Sequence, residues 1–321
     1  MWRAVDLATK VGVVDLANPV LTASGTSGHG AELAGSIDLA RLGAVTVKSV
    51  SARPWGGNAA PRLHPLPAGM LNSVGLENPG MAAWLSDQLP ALAATGATVV
   101  ASIWGFTVAE YHEAAAMVAA AVVDARCSGG HAGSIVAVEA NISCPNIEDR
   151  RHMFAHSEAA AAAAVEAAAL GLRPSGLPLW AKLSPNVTDL PAIAGAVLDA
   201  GAGALTLVNT LPGLALDPAT GRAVLGGGGG GLSGPALHPV AVRAVFDCRQ
   251  AHPEAPIVGV GGVTTGADAA ELLVAGADAV AVGTATFADP RAPERVGREL
   301  AAWCRRHGVR RIRDLVGRAH D

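Results

Sequence analysis

The chain has 321 residues, half of them hydrophobic and 16% charged, with a formal net charge of −4. This weakly acidic balance argues against binding to nucleic acid or to an anionic membrane surface, both of which require clustered Lys and Arg. No apolar run reaches the ~18 residues of a membrane-spanning helix, and the N-terminal segment lacks the basic, apolar and small-residue order of a signal peptide. We therefore expect a cytoplasmic protein.

Short apolar runs rich in β-branched residues alternate with alanine-rich segments along the chain. Apolar runs of this kind are typical of parallel strands that are buried on both faces. The predicted strands are residues 19–24, 44–49, 98–103, 135–142, 177–184, 204–209, 256–262 and 278–284. The predicted helices are residues 38–44, 109–125, 159–170, 189–203 and 264–278. Several of these helices end at a glycine, as helices commonly do.

Eight strands separated by helices favour a single (β/α)8 barrel domain over residues 1–321, an α/β fold, with an N-terminal β-hairpin. A doubly wound open sheet is the alternative that the same pattern allows. The long connections at residues 50–97, 143–176 and 210–255 are expected to cover the C-terminal face of the barrel. The glycine run at 226–231 holds no single conformation by itself and is expected to be a mobile part of the last connection.

The four cysteines, Cys127, Cys144, Cys248 and Cys304, are widely separated along the chain. None belongs to a Cys-x-x-Cys or Cys-x-x-His group of the kind that ligates zinc or an iron–sulfur cluster. Unpaired cysteines in a chain without an export signal fit the reducing cytoplasm. The sequence therefore predicts no metal site.

Polar residues and glycines fall at the C-terminal ends of all the predicted strands. Because a barrel gathers these ends at the face where its active site lies, we expect them to converge on one place. They are Ser24, Gly25, Lys48, Ser49, Ser102, Asn141, Lys182, Asn209, Thr210, Gly261, Gly262, Gly283 and Thr284.

Lys48 and Lys182 end otherwise apolar strands, where a lysine is rarely buried without a partner. Either one alone could simply extend to solvent, but both together at one face indicate an electron-rich or anionic ligand. The pairs Gly261–Gly262 and Gly283–Thr284 lie in the loops where barrels bind phosphate through backbone N–H groups, although glycine at such turns is commonly structural.

Four asparagines, Asn72, Asn141, Asn146 and Asn209, lie at predicted strand ends or beside a loop of the expected pocket. An amide side chain offers both donors and acceptors, which suits a planar heterocycle with alternating N–H and C=O groups. A single asparagine is more often a turn former, so the grouping of four is what indicates such a ligand.

Specific motifs follow one another over about residues 5–290. In chain order they are ANPVLTASGT, AVTVKS, GMLNSVGLENPG, NISCPN, WAKLSPNVTD, LVNTLPG, GGLSGPALHPVAVR, VGVGG and AVAVGTA. With these motifs the chain resembles a dihydroorotate dehydrogenase, most closely the catalytic subunit of the bacterial NAD-linked class 1B type. The resemblance implies an FMN-containing (β/α)8 barrel that oxidises dihydroorotate to orotate in pyrimidine biosynthesis.

The resemblance also implies residue roles. Cys144 matches the general base that removes the C5 proton of the substrate while a hydride passes from C6 to flavin N5. Because a free thiol has a pKa of about 8.5, activity is expected to rise towards alkaline pH. The Lys48 position contacts flavin and substrate, and the Lys182 position stabilises negative charge on the reduced flavin. Cys127, Cys248 and Cys304 are interpreted as structural or incidental.

Further positions match cofactor and substrate contacts in the family. The implied cofactor-binding residues are Ala23, Ser24, Gly25, Lys48, Ser49, Ser102, Asn141, Lys182, Val208, Gly234, Gly261, Gly262, Gly283 and Thr284. The implied substrate-binding residues are Lys48, Asn72, Val74, Gly75, Leu76, Asn141, Asn146, Asn209 and Thr210. Val74, Gly75 and Leu76 would bind the substrate carboxylate by their backbone N–H groups, together with the Asn72 amide. Ser102 replaces an asparagine expected in the nearest relatives.

The sequence departs from the family after SCPN, where residues 147–157 replace a loop that contains two glycines. This is either variation in a solvated lid or a sign of an altered substrate or electron acceptor. The resemblance implies a homodimer core and a separate FAD and [2Fe–2S] subunit that links the enzyme to NAD; fumarate-linked relatives lack that subunit. The alternative functions are reduction of uracil or thymine, as in dihydropyrimidine dehydrogenases, and a flavin-binding subunit without catalysis.

Overall fold

The computed structural model describes residues 5–143 and 154–321. Cys144, Asn146 and most of the 147–157 loop lie outside the described residues. The strands are β1 (Thr9–Val11), β2 (Val14–Leu16), β3 (Val20–Thr22), β4 (Ala44–Thr46), β5 (Leu63–Leu66), β6 (Gly69–Asn72), β7 (Val99–Ile103), β8 (Ile135–Asn141), β9 (Leu179–Leu183), β10 (Ala204–Leu207), β11 (Leu211–Gly213), β12 (Gly230–Ser233), β13 (Ile257–Val260) and β14 (Ala279–Val282).

The longest helix in the described part of the chain is α3, with 21 residues. The α-helices are α1 (Met81–Ala83), α2 (Leu89–Ala93), α3 (Val108–Ser128), α4 (Glu158–Leu172), α5 (Leu190–Asp199), α6 (His238–Ala251), α7 (Gly266–Ala275), α8 (Ala285–Ala288) and α9 (Ala292–Arg306), with a π-helical turn at Trp84–Gln88. Single 3₁₀ turns lie at Glu32–Gly35, Leu39–Arg41, His131–Ser134, Phe154–His156, Pro235–Leu237, Ile312–Leu315 and Arg318–His320.

Eight parallel strands close into a barrel in the order β10-β13-β14-β3-β4-β7-β8-β9, and β9 pairs with β10 to complete it. Each of these strands lies within one of the predicted apolar runs. The (β/α)8 prediction is therefore confirmed, and the doubly wound alternative is wrong because the sheet has no open edge.

The hydrophobic residues of the barrel divide between two cores. One lies between the strands and the surrounding helices, and the other fills the inside of the barrel around Leu21, Val100 and Trp180. Residues of the N-terminal hairpin β1–β2, such as Val11 and Leu16, belong to the inner core and close one end of the barrel. Trp180 is fully buried there, and truncation of such a side chain to alanine typically costs about 3–5 kcal/mol.

Local sequence signals fix the helix ends. Thr107 and Glu110 form a reciprocal capping box at the start of α3, and Gly129 ends that helix in the left-handed conformation. A second capping box begins α7. The helix predicted at 38–44 is wrong, because only the single turn Leu39–Arg41 forms. Only two residues separate this turn from β4, which leaves no room for a longer helix.

A four-stranded antiparallel sheet in the order β11-β12-β6-β5 lies outside the barrel and was not predicted. Its strands come from the connections after β4 and after β10, so these connections cover the C-terminal face as expected. The glycine run was predicted to be mobile, but Gly230 and Gly231 are part of β12, and Gly231 pairs with Asn72 of β6. Pairing with β6 and β11 on either side holds these glycines in one extended conformation.

None of the helices in the described part of the chain is both long and apolar enough to cross a lipid bilayer.

Candidate active site

A cavity of about 500 Å³ lies at the C-terminal end of the barrel, below the sheet β11-β12-β6-β5. Volumes of this size are typical of sites for cofactors and small molecules. The predicted site residues that line it are Ala23, Ser24, Gly25, Lys48, Ser49, Asn72, Val74, Gly75, Leu76, Asn141, Lys182, Val208, Asn209, Thr210, Gly234, Gly261, Gly262, Gly283 and Thr284. Of the predicted site residues in the described ranges, Ser102 is the one that does not line the cavity. Cys144 and Asn146 lie outside the described ranges, directly after Ser143, which lines the cavity.

The floor of the cavity is a network of hydroxyl and amide groups. Ser49 lies 3.3 Å from the Ser24 hydroxyl and accepts a hydrogen bond of 3.3 Å from the Asn141 amide. The Asn209 amide donates to the Asn141 side-chain oxygen at 3.2 Å. From below, the Tyr111 hydroxyl donates to the Asn141 backbone oxygen at 2.7 Å. These contacts hold both asparagines in fixed orientations towards the cavity.

A buried acidic residue, Glu139, lies beneath this floor and was not predicted from the sequence. One carboxylate oxygen of Glu139 lies 3.9 Å from Lys182 Nζ and accepts a hydrogen bond of 3.2 Å from Ser102. Ser102 in turn lies 2.9 Å from the Ser49 hydroxyl. The signal was present in the sequence, since Glu139 interrupts an apolar strand two residues before Asn141 and therefore shares its face of β8.

Lys48 connects β4 to the loop that follows β6. Its ammonium donates a hydrogen bond to the backbone oxygen of Glu77, whose carboxylate accepts one from Arg62. Burial lowers the pKa of Lys48 to about 8, with the Arg62 charge acting in the same direction and Glu77 opposing it. Burial and the Lys48 charge lower the pKa of His29 to about 4. Lys48 therefore titrates within the working range of an enzyme.

The loop at 73–77 forms one wall of the cavity in a tightly held conformation. Gly75 and Leu76 both have positive φ, 72° and 64°, which is unusual for a leucine. The Asn58 amide donates to the Ser73 hydroxyl at 2.9 Å, and Trp55 Nε1 donates to the Gly75 oxygen at 2.9 Å. Successive residues in such a conformation form a concave group of backbone N–H donors that suits an anion.

The opposite end of the cavity is lined by glycines. Gly234 and Gly262 have φ of 99° and 65°, and a Cβ at either position would lie within 2.7 Å of neighbouring carbon atoms. Near them the Thr284 hydroxyl donates to the Ser233 hydroxyl at 2.8 Å. Backbone N–H groups and hydroxyls of this kind bind phosphate without a cation.

An apolar and aromatic wall completes the cavity and was not predicted from the sequence. Trp55 packs edge-on against Phe106 with ring centroids 5.0 Å apart. Trp55 and Phe287 are about half exposed. Trp55 and Phe106 lie on loops, where no strand or helix pattern marks them, and Phe287 lies on the four-residue helix α8. The further lining residues that the sequence analysis missed are Thr26, Trp55, Asn58, Leu63, Met70, Ser73, Phe106, Ser143, Ser233, Leu237, Val260 and Phe287.

The residues present fit a phosphorylated, planar, electron-rich cofactor. No heavy atom lies within 4 Å of where a Gly25 side chain would begin, so the backbone there leaves the cavity open to a flat ring. Within the described ranges, Lys48 and Lys182 are the charged residues that line the cavity, and no group of three or more His, Cys, Asp or Glu is arranged to hold a metal ion. The two lysines and the amide groups of the lining therefore suit an organic anion.

Comparison with known proteins agrees with the geometry. The family model described as dihydroorotate dehydrogenase matches residues 6–303. The chain is 46% identical over 318 residues to the dihydroorotate dehydrogenase B (NAD(+)) catalytic subunit of Desulforudis audaxviator, covering 98% of both chains. It is 40% identical over 312 residues to the protein of the same name from Pelobacter propionicus, covering 97% of this chain and 98% of that one. It is 44% identical over 311 residues to a putative dihydroorotate dehydrogenase A (fumarate) of Solibacter usitatus, covering 97% of each.

Proposed function

The chain belongs to the dihydroorotate dehydrogenase family, and on that premise we propose that it oxidises dihydroorotate to orotate in pyrimidine biosynthesis with FMN as its flavin. The observation that carries the proposal is the cavity itself. It joins an amide-lined floor, two lysines and a wall of anion-binding backbone in one volume. A pyrimidine ring with a carboxylate needs these three features together.

The residues that would hold the flavin divide by position. Ala23, Ser24, Gly25 and Ser49 line the cavity at and beside its polar floor and would contact the ring. The phosphate end would be held by Gly234, Gly261, Gly262, Gly283 and Thr284. Val208 and Lys182 would contact the ring from the far strands. Ser102, which lies below the floor, would act on the ring through Ser49 rather than by contact. When bound, FMN supplies a two-electron acceptor for the hydride of the substrate.

The substrate would bind between the asparagines and the 73–77 loop. Asn72, Asn141, Asn209 and Thr210 offer donors and acceptors to the ring amides. The backbone of Val74, Gly75 and Leu76 would bind the carboxylate, because charge-assisted hydrogen bonds to N–H groups are among the strongest available. The Lys48 ammonium, held by the loop oxygen of Glu77, adds a positive charge beside it.

Proton removal is assigned to Cys144. Oxidation of the C5–C6 bond requires that one hydrogen leaves as a proton and its neighbour as a hydride. Among the described residues that line the cavity there is no carboxylate or imidazole to accept the proton. Cys144 and Asn146 follow Ser143 of the cavity lining, so we propose the Cys144 thiolate as the base and Asn146 as a further ring contact.

The electron acceptor is proposed to be NAD, reached through a separate subunit that carries FAD and a [2Fe–2S] cluster, with this chain as a cytoplasmic homodimeric core. Two of the relatives are named as catalytic subunits of an NAD(+) enzyme, which supports a partner chain. A fumarate-linked relative is of similar identity. The two acceptors are separated by purifying the protein from native extract and assaying it with NAD and with fumarate. Copurification of a second subunit with NAD-reducing activity is expected, and activity with fumarate alone would assign the other acceptor.

The experiment that tests the proposed reaction is anaerobic. The purified protein, loaded with FMN, is mixed separately with dihydroorotate, dihydrouracil and NADPH, and the flavin absorbance is followed. Bleaching by dihydroorotate alone is expected. Bleaching by dihydrouracil or NADPH in its place would assign the uracil or thymine reaction instead. Failure to bind flavin, or no bleaching with any of the three, would overturn the enzymatic assignment.

A further inference from the structure

Glu139 is a buried carboxylate that does not line the cavity but contacts Lys182, which does, and Ser102, which lies beneath the floor. It lies on β8, pairs in register with Trp180 of β9 and Ser102 of β7, and is 3% exposed. Its carboxylate oxygen lies 3.9 Å from Lys182 Nζ. The same oxygen accepts the hydrogen bond from Ser102, which contacts Ser49 of the cavity floor.

Fold stability gives no simple reason to keep this arrangement. Taking a carboxylate and an ammonium out of water costs several kcal/mol for each ion, and apolar residues of similar volume in place of such a pair are often neutral or stabilising. The barrel interior immediately beneath is apolar, with Trp180, Ala204 and Val258 in the inner core. An apolar pair at these positions would extend that core. The carboxylate is therefore better explained by what it does to Lys182.

We propose that Glu139 is a positioning residue that fixes the Lys182 ammonium at the cavity floor and offsets its charge, and thereby sets the reduction potential of the bound flavin. The inference rests on the proposed function and deepens it. A positive charge near the flavin favours the electron-rich reduced state, and the nearby Glu139 charge opposes that effect. Ser102 and Ser49 extend the influence of the carboxylate along the floor to Ser24.

Removal of the Glu139 charge is expected to raise the reduction potential of the bound flavin. Glu139→Gln keeps the shape of the side chain and an acceptor for Ser102 but removes the negative charge. The Lys182 charge is then uncompensated, and the flavin potential moves to a more positive value. The expected change is about tenfold in the reduction equilibrium, which is ~30 mV for a two-electron couple.

A double-mutant cycle tests whether Glu139 acts through Lys182. The potentials of the wild type, Glu139→Gln, Lys182→Met and the double variant are measured by anaerobic photoreduction against a reference dye. In the Lys182→Met background the Glu139→Gln change is expected to have little effect, because the charge that Glu139 offsets is already absent. Equal shifts in both backgrounds would overturn the proposed pairing.

Asp278→Asn is the matched control. Asp278 forms a mostly buried ion pair of 2.9 Å with Arg249 and precedes β14, at the end of the barrel opposite to the cavity. Asp278→Asn removes the charge of one buried ion pair but leaves the cavity floor unchanged. The flavin potential is therefore expected to stay at the wild-type value. A Glu139→Gln shift no larger than that of Asp278→Asn would overturn the proposal.

If Glu139→Gln does not fold, Glu139→Asp provides the test. It keeps the charge but draws the carboxylate away from Lys182, so a smaller shift in the same direction is expected, and a potential equal to that of the wild type would contradict the proposal. Failure of the proposed reaction would be seen in a different measurement from failure of the Glu139 proposal. It would appear as wild-type flavin that dihydroorotate does not bleach, whatever the potentials of the variants.

Discussion

Lys48 and Glu77 join the barrel to the loop above it, because the Lys48 ammonium donates a hydrogen bond to the Glu77 backbone oxygen. The contact lets one side chain hold the anion-binding loop in place and present a positive charge to the same ligand. Since burial lowers the pKa of Lys48 to about 8, the charge is present at neutral pH and lost in mild alkali.

The affinity for orotate is therefore expected to fall as pH rises through about 8. Below that value Lys48 is protonated and attracts the carboxylate, and above it the charge disappears. The loss approaches about tenfold for each pH unit above the pKa if the protonated form alone binds. Titration of the flavin absorbance with orotate between pH 6.5 and 9.5 measures it. Lys48→Gln is expected to bind weakly at every pH, with the step at pH 8 abolished; a step that persists in this variant would assign the titration to another group.

Replacement of Cys144 is expected to separate binding from chemistry. Cys144→Ala should retain FMN and orotate but lose about 10²–10⁴-fold in the rate at which dihydroorotate reduces the flavin, the usual contribution of a general base. In the wild type that rate is expected to rise towards pH 8.5, as an ordinary thiol ionises. Stopped-flow absorbance under anaerobic conditions gives both rates, and Cys127→Ala is the control because Cys127 is exposed on α3. Equal rates in Cys144→Ala and the wild type would remove Cys144 from the mechanism.

The 73–77 loop is expected to select for the carboxylate. Gly75→Ala would place a Cβ 2.5 Å from the Asn58 side chain at a φ of 72°, so the loop must shift and its N–H groups lose their alignment. Orotate affinity should fall at least about tenfold, or 1.4 kcal/mol, while FMN affinity is unchanged. Gly133→Ala, which meets no atom within 4 Å, is the matched control. Comparable losses of FMN and orotate in Gly75→Ala would indicate general misfolding instead.

Much of the fold was predictable because each barrel strand is a continuous apolar run with a polar end. The overlying sheet was not, since its strands contain Pro65 and the glycines of β12 and carry no apolar pattern. Lysines and asparagines at strand ends were found because they contrast with apolar neighbours. Trp55 and Phe106 were missed because their approach to the cavity depends on tertiary packing of loops, which local periodicity does not encode.

Acid stability is expected to depend on His29. Burial, and to a smaller extent the Lys48 charge, lowers the pKa of His29 in the folded state to about 4. In an unfolded chain the pKa is about 6.5. The unfolded state therefore binds more protons between these values, and the free energy of unfolding should decrease as pH falls from 6.5 to 4. The loss is roughly 2 kcal/mol, after a discount for partial exposure.

Urea unfolding of the wild type, His29→Gln and His112→Gln between pH 4 and 7 measures this contribution. His29→Gln should show a weaker decline than the wild type over that range, because glutamine takes up no proton. His112 is exposed on α3, and His112→Gln should follow the wild-type curve. Parallel curves for the wild type and His29→Gln would show that other groups cause the acid sensitivity, and that the His29 imidazole is protonated in the folded protein as readily as in the unfolded chain.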